Sequence, residues 1–451
     1  MKNTKILTSS LTLEIIYDCG YDCFHNAILS LKEIQNIYTF VKNYTVNRKT
    51  EIGILSSKEG IKETEYSKRE YGKTVDGLIY DELTNNNTVN ICLSNSINAA
   101  IRSASKSYDN NKKDVDNGKR TRETYRAPQP IHIPHQNFKI YEGDGNFYLR
   151  YQPYSMKHNV EIGLKSRDAI VFKIKSPGRK NEEIIRKCLS PDYPDFKFGG
   201  STITSKGKGK REKWFFHLVC SYPVEQAKSN DKALDKTKYL GVDLGVVNPI
   251  CASVYGDKEK NALIISGEHM IGHVHKMKKR LKEMQKGVAY CGNGKIGHGT
   301  AKRFEAVTKL KGKIANYRDT ENKKMARQVV DYAIKNGCGT IQMEDLSGVK
   351  SNKKGKFLSD WVYYNLQLAI EYAAQKVGIE IVKVNPRYTS QRCSKCGAIH
   401  KDNRKSQSGF ICVECGFTAN ADFNASQNLG IPYVDKIIKE TKPSIKQKKA
   451  G

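Results

Sequence analysis

Apolar residues in the amino-terminal part of the chain follow first a strand pattern and then a helical one. Residues 6–16 are predicted to form a strand. Two later sets recur at helical spacing: Phe24, Ile28, Leu31, Ile34, Ile37, Phe40 and Val41 in the first, and Val89, Leu93, Ile97, Ala100, Ile101 and Ala104 in the second. Residues 43–67 are polar with little periodicity, and residues 109–126 are predicted to be a charged linker.

The pattern changes to short strands with turn signals between about residues 131 and 224. Residues 147–151 follow the turn residues Gly143 and Gly145, and residues 214–219 form another aromatic and apolar run. Strands in this order, with a helical segment after the first strand, predict a small β-barrel that helices interrupt early.

Acidic residues in the carboxy-terminal half stand at the ends of apolar runs. Residues 239–242 are apolar enough for a central strand, which places Asp243 at its carboxyl end. Antiparallel strands are predicted near 250–255 and 262–266, and a helix over 322–335 precedes a strand that Glu344 ends. This order predicts an α/β sheet with carboxylates gathered at one edge. Either acid alone is more typical of a solvent-facing strand end.

Composition narrows the class of partner. The 451 residues suggest about two to four domains, and a formal net charge of +30, from 77 Lys and Arg against 47 Asp and Glu, points to nucleic acid. The sequence lacks a run of about 18 apolar residues, and we do not expect its first residues to be a secretory signal, because no continuous apolar core follows their basic residues. We therefore expect no membrane association and a cytoplasmic, nucleoid-associated protein.

Four of the twelve cysteines have the spacing of a metal site. They form two C-x2-C knuckles fifteen residues apart: Cys393, Cys396, Cys412 and Cys415. This spacing lets four thiolates bind one structural Zn2+, and a pair of disulfides is disfavoured in a reducing compartment. Cys19, Cys23 and His25 offer only three ligands for a second site, so metal binding there stays open.

Three segments around the acids share motifs with a known nuclease domain. Gly241-Val-Asp-Leu-Gly245, Glu344-Asp-Leu346 and Asp422-Phe-Asn-Ala-Ser-Gln-Asn428 resemble motifs of the RuvC-type domain of transposon-associated TnpB proteins and CRISPR type V effectors. Pro386-Arg-Tyr-Thr-Ser-Gln-Arg-Cys-Ser-Lys-Cys-Gly397 is similar to that family's entry into its target-nucleic-acid-binding ribbon. The resemblance covers about residues 239–430. Tyr125-Arg-Ala-Pro-Gln-Pro-Ile131, after a helical insert, is similar to a join in the miniature type V-F effectors and favours them over TnpB.

The resemblance implies a multidomain α+β fold. A wedge-type β-barrel with a helical recognition insert is followed by an RNase H-like (RuvC) α/β nuclease domain that a zinc ribbon interrupts. The expected boundaries are 1–20 and 119–235 for the wedge barrel, 21–118 for the helical recognition domain, 236–390 and 418–432 for the nuclease, 391–417 for the zinc ribbon and 433–451 for a basic tail.

The resemblance also assigns the chemistry to three carboxylates. Asp243, Glu344 and Asp422 would hold two Mg2+ ions about 4 Å apart, with Mn2+ as an alternative, for phosphodiester hydrolysis. Carboxylate oxygens suit Mg2+, whereas thiolates suit Zn2+. Asp345 adjoins Glu344, but neighbouring strand residues face opposite ways, so we expect a structural role for it.

An RNA-guided DNA endonuclease of antiviral defence is the function that the resemblance implies. A guide RNA would pair with target DNA, engaged as duplex and as single strands, beside a short flanking motif that the protein recognises. The resemblance further implies a homodimer on one guide RNA. A TnpB-like transposon-encoded nuclease acting as a monomer is the first alternative. A guide-independent DNA-structure-specific nuclease or transposase, and a non-catalytic zinc-ribbon regulator, are the others.

Basic residues are expected to follow nucleic-acid backbones. Between residues 269 and 318, thirteen Lys and Arg stand against two acids, a pattern that also fits a solvated helical hairpin. The candidate nucleic-acid-binding residues are Lys278, Lys279, Arg280, Arg126, Arg150, Arg387 and Arg392.

Overall fold

The computed structural model of the protein describes residues 6–17, 21–85, 89–207, 212–224, 227–229, 232–245, 248–290, 302, 304–346, 363–404, 406 and 408–447. These residues form two compact units. The amino-terminal unit is Ile6–Pro223, and the carboxy-terminal unit begins at Val224. Each unit has its own hydrophobic core.

One antiparallel sheet of eight strands is the base of the amino-terminal unit. Its strands are β1 (Ile6–Tyr17), β2 (Ile131–Ile133), β3 (Phe138–Gly143), β4 (Asn146–Tyr151), β5 (Ile170–Lys175), β6 (Lys197–Phe198), β7 (Ser201–Lys206) and β8 (Lys213–Pro223). Their order is β2-β7-β8-β1-β5-β4-β3, with β6 paired to β8. The two end strands, β2 and β3, are not paired with each other in the described part of the chain. The predicted barrel is therefore an open half-barrel.

The central strand β1 shows why the sheet forms where the sequence predicts it. Leu11, Leu13 and Ile15 alternate with polar residues, and all three are buried in the core. β1 pairs antiparallel with β8 on one side and with β5 on the other. The prediction of a first strand that joins later strands is confirmed.

Helices of the amino-terminal unit occupy the insert between β1 and β2 and two later connections. They are α1 (Tyr21–Lys58), α2 (Glu63–Tyr71), α3 (Val75–Thr84), α4 (Ser94–Asp116), α5 (Met156–Glu161) and α6 (Arg179–Leu189). The predicted helical insert after the first strand is confirmed. Throughout the described ranges, no helix combines the length and apolar content that crossing a membrane requires.

Two stretches predicted to be irregular are helical instead. α1 continues to Lys58, α2 follows it, and α4 runs on to Asp116. The apolar pattern fails there because core positions are polar. Thr45 donates to the Val41 carbonyl at 2.8 Å, and the buried Lys49 pairs with Asp109 at 2.7 Å. A buried polar group with a partner occupies the core face as an apolar residue would.

The carboxy-terminal unit is built around a mixed five-stranded sheet. The strands described in this unit are β9 (Lys228–Ser229), β10 (Lys232–Ala233), β11 (Asp235–Asp243), β12 (Ile250–Val254), β13 (Leu263–Ile265), β14 (Cys338–Glu344), β15 (Glu380–Val384), β16 (Gly409–Ile411) and β17 (Thr418–Asn420). The main order is β13-β12-β11-β14-β15, while β9 pairs with β10 and β16 with β17. β11, β14 and β15 are mutually parallel, and β12 pairs antiparallel with β11, as predicted. The strand near 262–266 was also predicted to pair with the Asp243 strand, but β13 pairs antiparallel with β12 instead.

Within its described residues, this unit has five α-helices with defined bounds. They are α7 (Glu268–Tyr290), α8 (Glu305–Lys335), α9 (Tyr363–Gln375), α10 (Ala421–Leu429) and α11 (Val434–Gln447). The helix predicted over 322–335 exists but begins at Glu305. Its apolar residues pack on the sheet only in its second half, where Met325, Val329 and Val330 join the core.

Helix α10 lies unusually close to the sheet because β11 carries a glycine beneath it. A Cβ on Gly241 would stand 2.0 Å from the Ser426 carbonyl oxygen and 2.3 Å from the Gly430 nitrogen. α10 is nevertheless polar, and all nine of its residues are buried. Its carbonyls at Leu429 and at the following Ile431 accept from the Gln342 side chain at 2.8 and 2.7 Å, so the buried end of the helix is satisfied.

Gly241→Ala should displace α10 and strongly destabilise the carboxy-terminal unit, since the new methyl would overlap backbone that cannot move independently. We expect a loss of at least about 2 kcal/mol, in the range of overpacked cores. The matched control is Gly272→Ala in α7, where a Cβ meets nothing within 4 Å. It should stabilise slightly, as alanine does in a helix. Chemical denaturation of both variants measures the difference, and equal stabilities would contradict the close packing.

Candidate active site and metal centre

Two of the three predicted carboxylates end neighbouring parallel strands. Asp243 is the last residue of β11 and Glu344 the last of β14, and the strands pair in register through Val242 and Met343. Carboxyl ends of parallel strands meet at one edge of a sheet. Both side chains are half-buried there. The predicted edge with gathered carboxylates is therefore present.

Asp422 reaches the same edge from the first turn of α10. The Asn420 side chain caps this helix by accepting from the backbone nitrogens of Asp422 and Phe423 at 2.9 and 3.2 Å. Asn248, beyond β11, donates from Nδ2 to Asp422 Oδ2 at 3.0 Å. The carboxylate is 8% exposed and lies where the helix dipole favours negative charge. Helix, cap and amide together fix its position.

The three carboxylates lie within electrostatic reach of one another. Burial, then the negative charges of Glu344 and Asp422, raise the pKa of Asp243 well above its ordinary 3.8, and Arg404 opposes them. Burial also raises the pKa of Glu344, against a hydrogen bond from Thr389 Oγ1 to its Oε1 and the charge of Arg404. The ionised form of these carboxylates is therefore unfavourable in the fold, and a bound cation would stabilise it.

Arg404 is a site residue that the sequence did not reveal. It follows the first knuckle and its Nη2 lies 3.5 Å from Asp422 Oδ1. Its charge lowers the pKa of both Asp243 and Glu344. Its neighbourhood in the sequence is a basic, polar loop without periodicity, so the only available signal was its place between the two knuckles, shortly before Asp422.

The four cysteines form a group with the dimensions of a tetrahedral metal site. Their sulfurs all lie within 4.8 Å of one another, with Cys393 to Cys415 at 3.7 Å and Cys396 to Cys412 at 3.6 Å. A tetrahedron with Zn–S bonds of about 2.3 Å has edges of about 3.8 Å. Gly397 and Gly416, directly after the second cysteine of each knuckle, have φ of 80° and 68°, a conformation that turns the backbone tightly around the sulfurs. The cysteines thus fit a Zn2+.

No other group of three or more His, Cys, Asp or Glu ligands within 4.8 Å occurs in the described part of the chain. The three carboxylates are accordingly spaced more widely than the thiolates, which does not suit one small ion bound by all three at once. The spacing is compatible with ions shared between pairs of carboxylates. Cys19 and the side chains of Cys23 and His25 lie outside the described residues.

Hydrogen bonds from α10 tie the cysteine ribbon to the carboxylate edge. Asn424 accepts from the Ser394 nitrogen and donates to the Arg392 carbonyl, each at 2.9 Å. Asn428 donates to the Thr389 carbonyl at 3.0 Å and accepts from Arg392 at 2.7 Å. The helix that carries Asp422 therefore shares its buried polar face with the ribbon.

Two residues next to the site, Asp345 and Gly245, have structural roles in the fold. Asp345, next to Glu344, contributes to the negative surroundings of Lys383, which pairs with Glu371 at 2.7 Å. Gly245 lies just beyond β11, at the end of the segment that resembles the first nuclease motif. A Cβ there would stand 2.8 Å from the Asn248 carbonyl oxygen, so the turn itself requires the glycine.

The candidate nucleic-acid residues are dispersed over the two units. Lys278, Lys279 and Arg280 lie on α7, where the last two are exposed, and Arg126 and Arg387 are also exposed. Arg150 donates to the Arg167 carbonyl at 2.7 Å. The Arg392 guanidinium is half-buried and bonded to Asn428, so it is occupied within the fold. Nucleic-acid binding by these residues stays a prediction.

Comparison with known sequences places this chain beside one group of nucleases. Residues 363–429 match the family model described as Cas12f1-like, TNB domain. The CRISPR-associated endodeoxyribonuclease Cas12f1 of Sulfoacidibacillus thermotolerans is 32% identical over 77% of this chain and 79% of its own length. That of Syntrophomonas palmitatica is 31% identical over 70% and 68%. A TnpB-like protein of Aquifex aeolicus is 26% identical over 47% of this chain and 73% of its own length.

Solved structures show a similar fold. A chain in the cryo-EM structure of a Cas12f1–sgRNA–target DNA complex matches with a TM-score of 0.67 and 18% identity, covering 96% of this chain and 99% of the other. A structure of the mini-RNA-guided endonuclease Cas-phi3 matches with a TM-score of 0.53 and 12% identity, covering 95% and 93%. The mixed α/β architecture with its half-barrel sheet is thus shared with compact nucleases of this kind.

Asp243→Asn should stabilise the metal-free protein, because it removes a carboxyl whose folded pKa is raised. Such a group destabilises the fold only above its unfolded pKa near 3.8, and increasingly so up to its folded pKa. The advantage of the variant should therefore grow with pH by up to about 1.4 kcal/mol per unit, or roughly 3 °C in Tm. Differential scanning fluorimetry in EDTA between pH 5 and 8 measures it.

Two comparisons make this pH series decisive. Asp331→Asn, which alters an exposed acid paired with Arg327, should give no such trend. Added Mg2+ should raise the Tm of the wild type more than that of Asp243→Asn, because only the former keeps all three carboxylates. Equal Tm values for wild type and Asp243→Asn at every pH would show that the carboxylates do not strain the edge.

Cys412→Ser should release one zinc per chain and reduce cleavage, because the ribbon that supplies Arg404 and contacts α10 depends on the metal for its folding. A structural zinc contributes on the order of several kcal/mol to so small a segment. Inductively coupled plasma mass spectrometry counts the zinc. Cys188→Ser, which removes a half-buried thiol of α6, should keep it. A wild-type protein purified without zinc would refute the assignment.

Proposed function

The chain belongs to the Cas12f1 family of CRISPR-associated endodeoxyribonucleases, and we propose that its carboxylate edge hydrolyses phosphodiester bonds of DNA that a guide RNA selects. The single observation that carries this proposal is the convergence of Asp243, Glu344 and Asp422, from three distant segments, at one edge of the sheet. Burial, together with the charges of Glu344 and Asp422, raises the pKa of Asp243, and bound cations would offset this unfavourable negative charge.

The donor set is suited to Mg2+, or to Mn2+ in its place. Three carboxylates offer hard oxygen ligands, and we propose that they would hold two ions. When bound, the ions would neutralise charge on the phosphate and lower the pKa of an attacking water. We propose that Asp243 would contact both ions, because the charges of Glu344 and Asp422 both act on its pKa.

The remaining residues of the edge orient these ligands. Thr389 donates to Oε1 of Glu344, and Asn248 donates to Oδ2 of Asp422 at 3.0 Å, so the protein fixes one oxygen of each of these two carboxylates. Arg404 beside Asp422 places a positive charge where a phosphate would approach. We propose that this arginine steadies the scissile strand.

Zn2+ in the cysteine ribbon is proposed to be structural. Four thiolates would complete its coordination and leave no open position for a substrate. Through Asn424 and Asn428, the ribbon fixes the helix that carries Asp422. The ribbon would in this way set the geometry of the edge and hold Arg404 at it.

Guide RNA and target DNA are the proposed partners. One structural relative is a Cas12f1–sgRNA–target DNA complex, and the charge of +30 suits polyanions. Base pairing would read the target, with the DNA engaged as duplex and as single strands. We assign the half-barrel and its helical insert to the wedge and recognition roles, the five-stranded sheet to a RuvC-type nuclease, and the residues of α7 to backbone contacts.

A homodimer on one guide RNA is proposed from the family resemblance. The TnpB alternative predicts a single chain per RNA, and the mass of the RNA-loaded particle separates the two. The longer alignment favours the Cas12f1-like protein, since the Aquifex aeolicus TnpB-like protein aligns with less than half of this chain. Regulators without catalysis leave the carboxylate edge unexplained.

Asp422→Ala should abolish Mg2+-dependent cleavage while leaving guided DNA binding within about twofold, because the acid would hold ions and not the duplex. The protein is purified with the RNA that accompanies it, and cleavage and binding of a matched DNA are measured together. Asp345→Ala is the control, since this acid belongs to the surroundings of Lys383. Retained cutting by Asp422→Ala would remove the proposed site, and absence of any accompanying RNA would remove the guided function.

A further inference from the structure

A groove between α8 and α9 in the carboxy-terminal unit has no role in the proposed chemistry. Its volume is about 930 Å3. Arg318 and Asn322 line it from α8, Tyr372 lines it from α9, and Lys376 lines it from the residue directly after α9. It involves none of the residues assigned to the carboxylate edge or to the cysteine ribbon.

Polar atoms at the wall of this groove are buried without hydrogen-bond partners among the described residues. These are Nε and Nη2 of Arg318, which are donors, and Oδ1 of Asn322, which is an acceptor. Asn322 is only 5% exposed. Burial lowers the pKa of Arg318, as expected for a guanidinium that lacks a compensating anion. Buried polar groups are normally paired, so these atoms point to a ligand that supplies the missing partners.

The rim of the groove is basic. Lys323, Arg327 and Lys376 line it together with Arg318, against one lining acid, Asp319, which pairs with Lys323 at 2.7 Å. The excess of positive charge favours an anionic strand. Tyr372 is 42% exposed and lies under the Lys376 ammonium, which is 4.3 Å from the ring centroid. An exposed ring beside a basic groove is the arrangement that supports stacking of an unpaired base.

The unpaired donors of Arg318 and the unpaired acceptor of Asn322 together favour the sugar–phosphate backbone of RNA over that of DNA. A phosphate offers only acceptors, which suits Arg318 but leaves the Asn322 oxygen unmet. A ribose 2′-hydroxyl offers a donor beside the phosphate, and deoxyribose does not. We propose that this groove binds a single-stranded segment of RNA, with a phosphate on Arg318 and a neighbouring 2′-hydroxyl donating to Asn322. The inference rests on the proposed function in one respect, that the RNA is the guide.

The experiment uses the full chain and the RNA that copurifies with it. Arg318→Met and Asn322→Leu remove the unpaired atoms while keeping most of the side-chain volume. Lys324→Met is the matched control, because it removes one charge from α8 outside the groove, where Lys324 pairs with Glu321. Tm is measured on the RNA-free protein, and Kd is measured by titrating the purified RNA.

Both groove variants should keep or raise the Tm of the RNA-free protein, because they bury no unpaired polar atom. Arg318→Met should raise the Kd for the RNA roughly tenfold, the loss expected for hydrogen bonds to a charged group, and Asn322→Leu roughly threefold. Lys324→Met should change the Kd less than twofold. A fall in Tm for both groove variants would mean that the buried atoms are partnered within the fold, which overturns the proposal.

A chemical test of the RNA completes the design. Single 2′-deoxy substitutions are introduced along the copurifying RNA, and binding of each RNA is compared between the wild type and Asn322→Leu. One or two adjacent positions should weaken binding to the wild type and have no effect on the variant. Identical sensitivity in both proteins would overturn the contact. So would unchanged RNA affinity with weakened target binding, since the groove would then hold DNA.

The outcomes separate this inference from the proposed function. Absence of a copurifying RNA removes the guided function itself. A copurifying RNA that binds wild type, Arg318→Met and Asn322→Leu alike leaves the guided function standing and removes only the groove as its site.

Discussion

The backbone contact between α10 and β11 at Gly241 is the constraint on which the carboxy-terminal unit depends. A helix separated from the strand by even one side chain would carry Asp422 away from Asp243. The same closeness favours small side chains where α10 meets β11, and the helix is buried mainly with small and polar residues, with Phe423 and Leu429 as its two large apolar ones. Gln342, Ser253 and the ribbon backbone then satisfy those polar groups. Packing and hydrogen bonding are therefore two results of one steric condition.

The carboxylate edge, in contrast, is a destabilising feature of the fold, because burial and, at Asp243, the neighbouring carboxylates disfavour its negative charge. Raised pKa values at Asp243 and Glu344 show that the fold maintains an arrangement that the side chains alone would not choose. The opposing stabilisation comes from outside the edge. Asn420 caps the helix, Asn248 fixes one carboxylate oxygen, and Arg404 approaches from the ribbon. Local conflict with support from surrounding layers is typical of a functional site.

The sequence predicted best the features that depend on apolar runs. Strands ending in Asp243 and Glu344 were identifiable because short buried strands of a parallel sheet are nearly continuous in apolar residues. The second half of α1 was missed because Thr45 and Lys49 occupy core positions with polar partners. The buried face of α10 was equally hidden, since asparagine and glutamine suggest surface. Arg404 had no recognisable pattern, because its place at the edge depends on how the ribbon folds back on α10. Arg392, which is predicted to contact nucleic acid, also donates to Asn428 within the fold, a contact that no sequence pattern indicated.

Order of synthesis gives the wide separation of the site segments a further consequence. Asn248 and Asp422, which are hydrogen-bonded in the finished unit, are 174 residues apart in the chain. A ribosome that has released β11, β14 and β15 has released two carboxylates and a sheet whose α10-facing surface is still uncovered. Only when the ribbon and α10 emerge can the third carboxylate arrive, and with it the arginine. Until the ribbon and α10 have left the ribosome, the nascent chain therefore has no complete carboxylate edge.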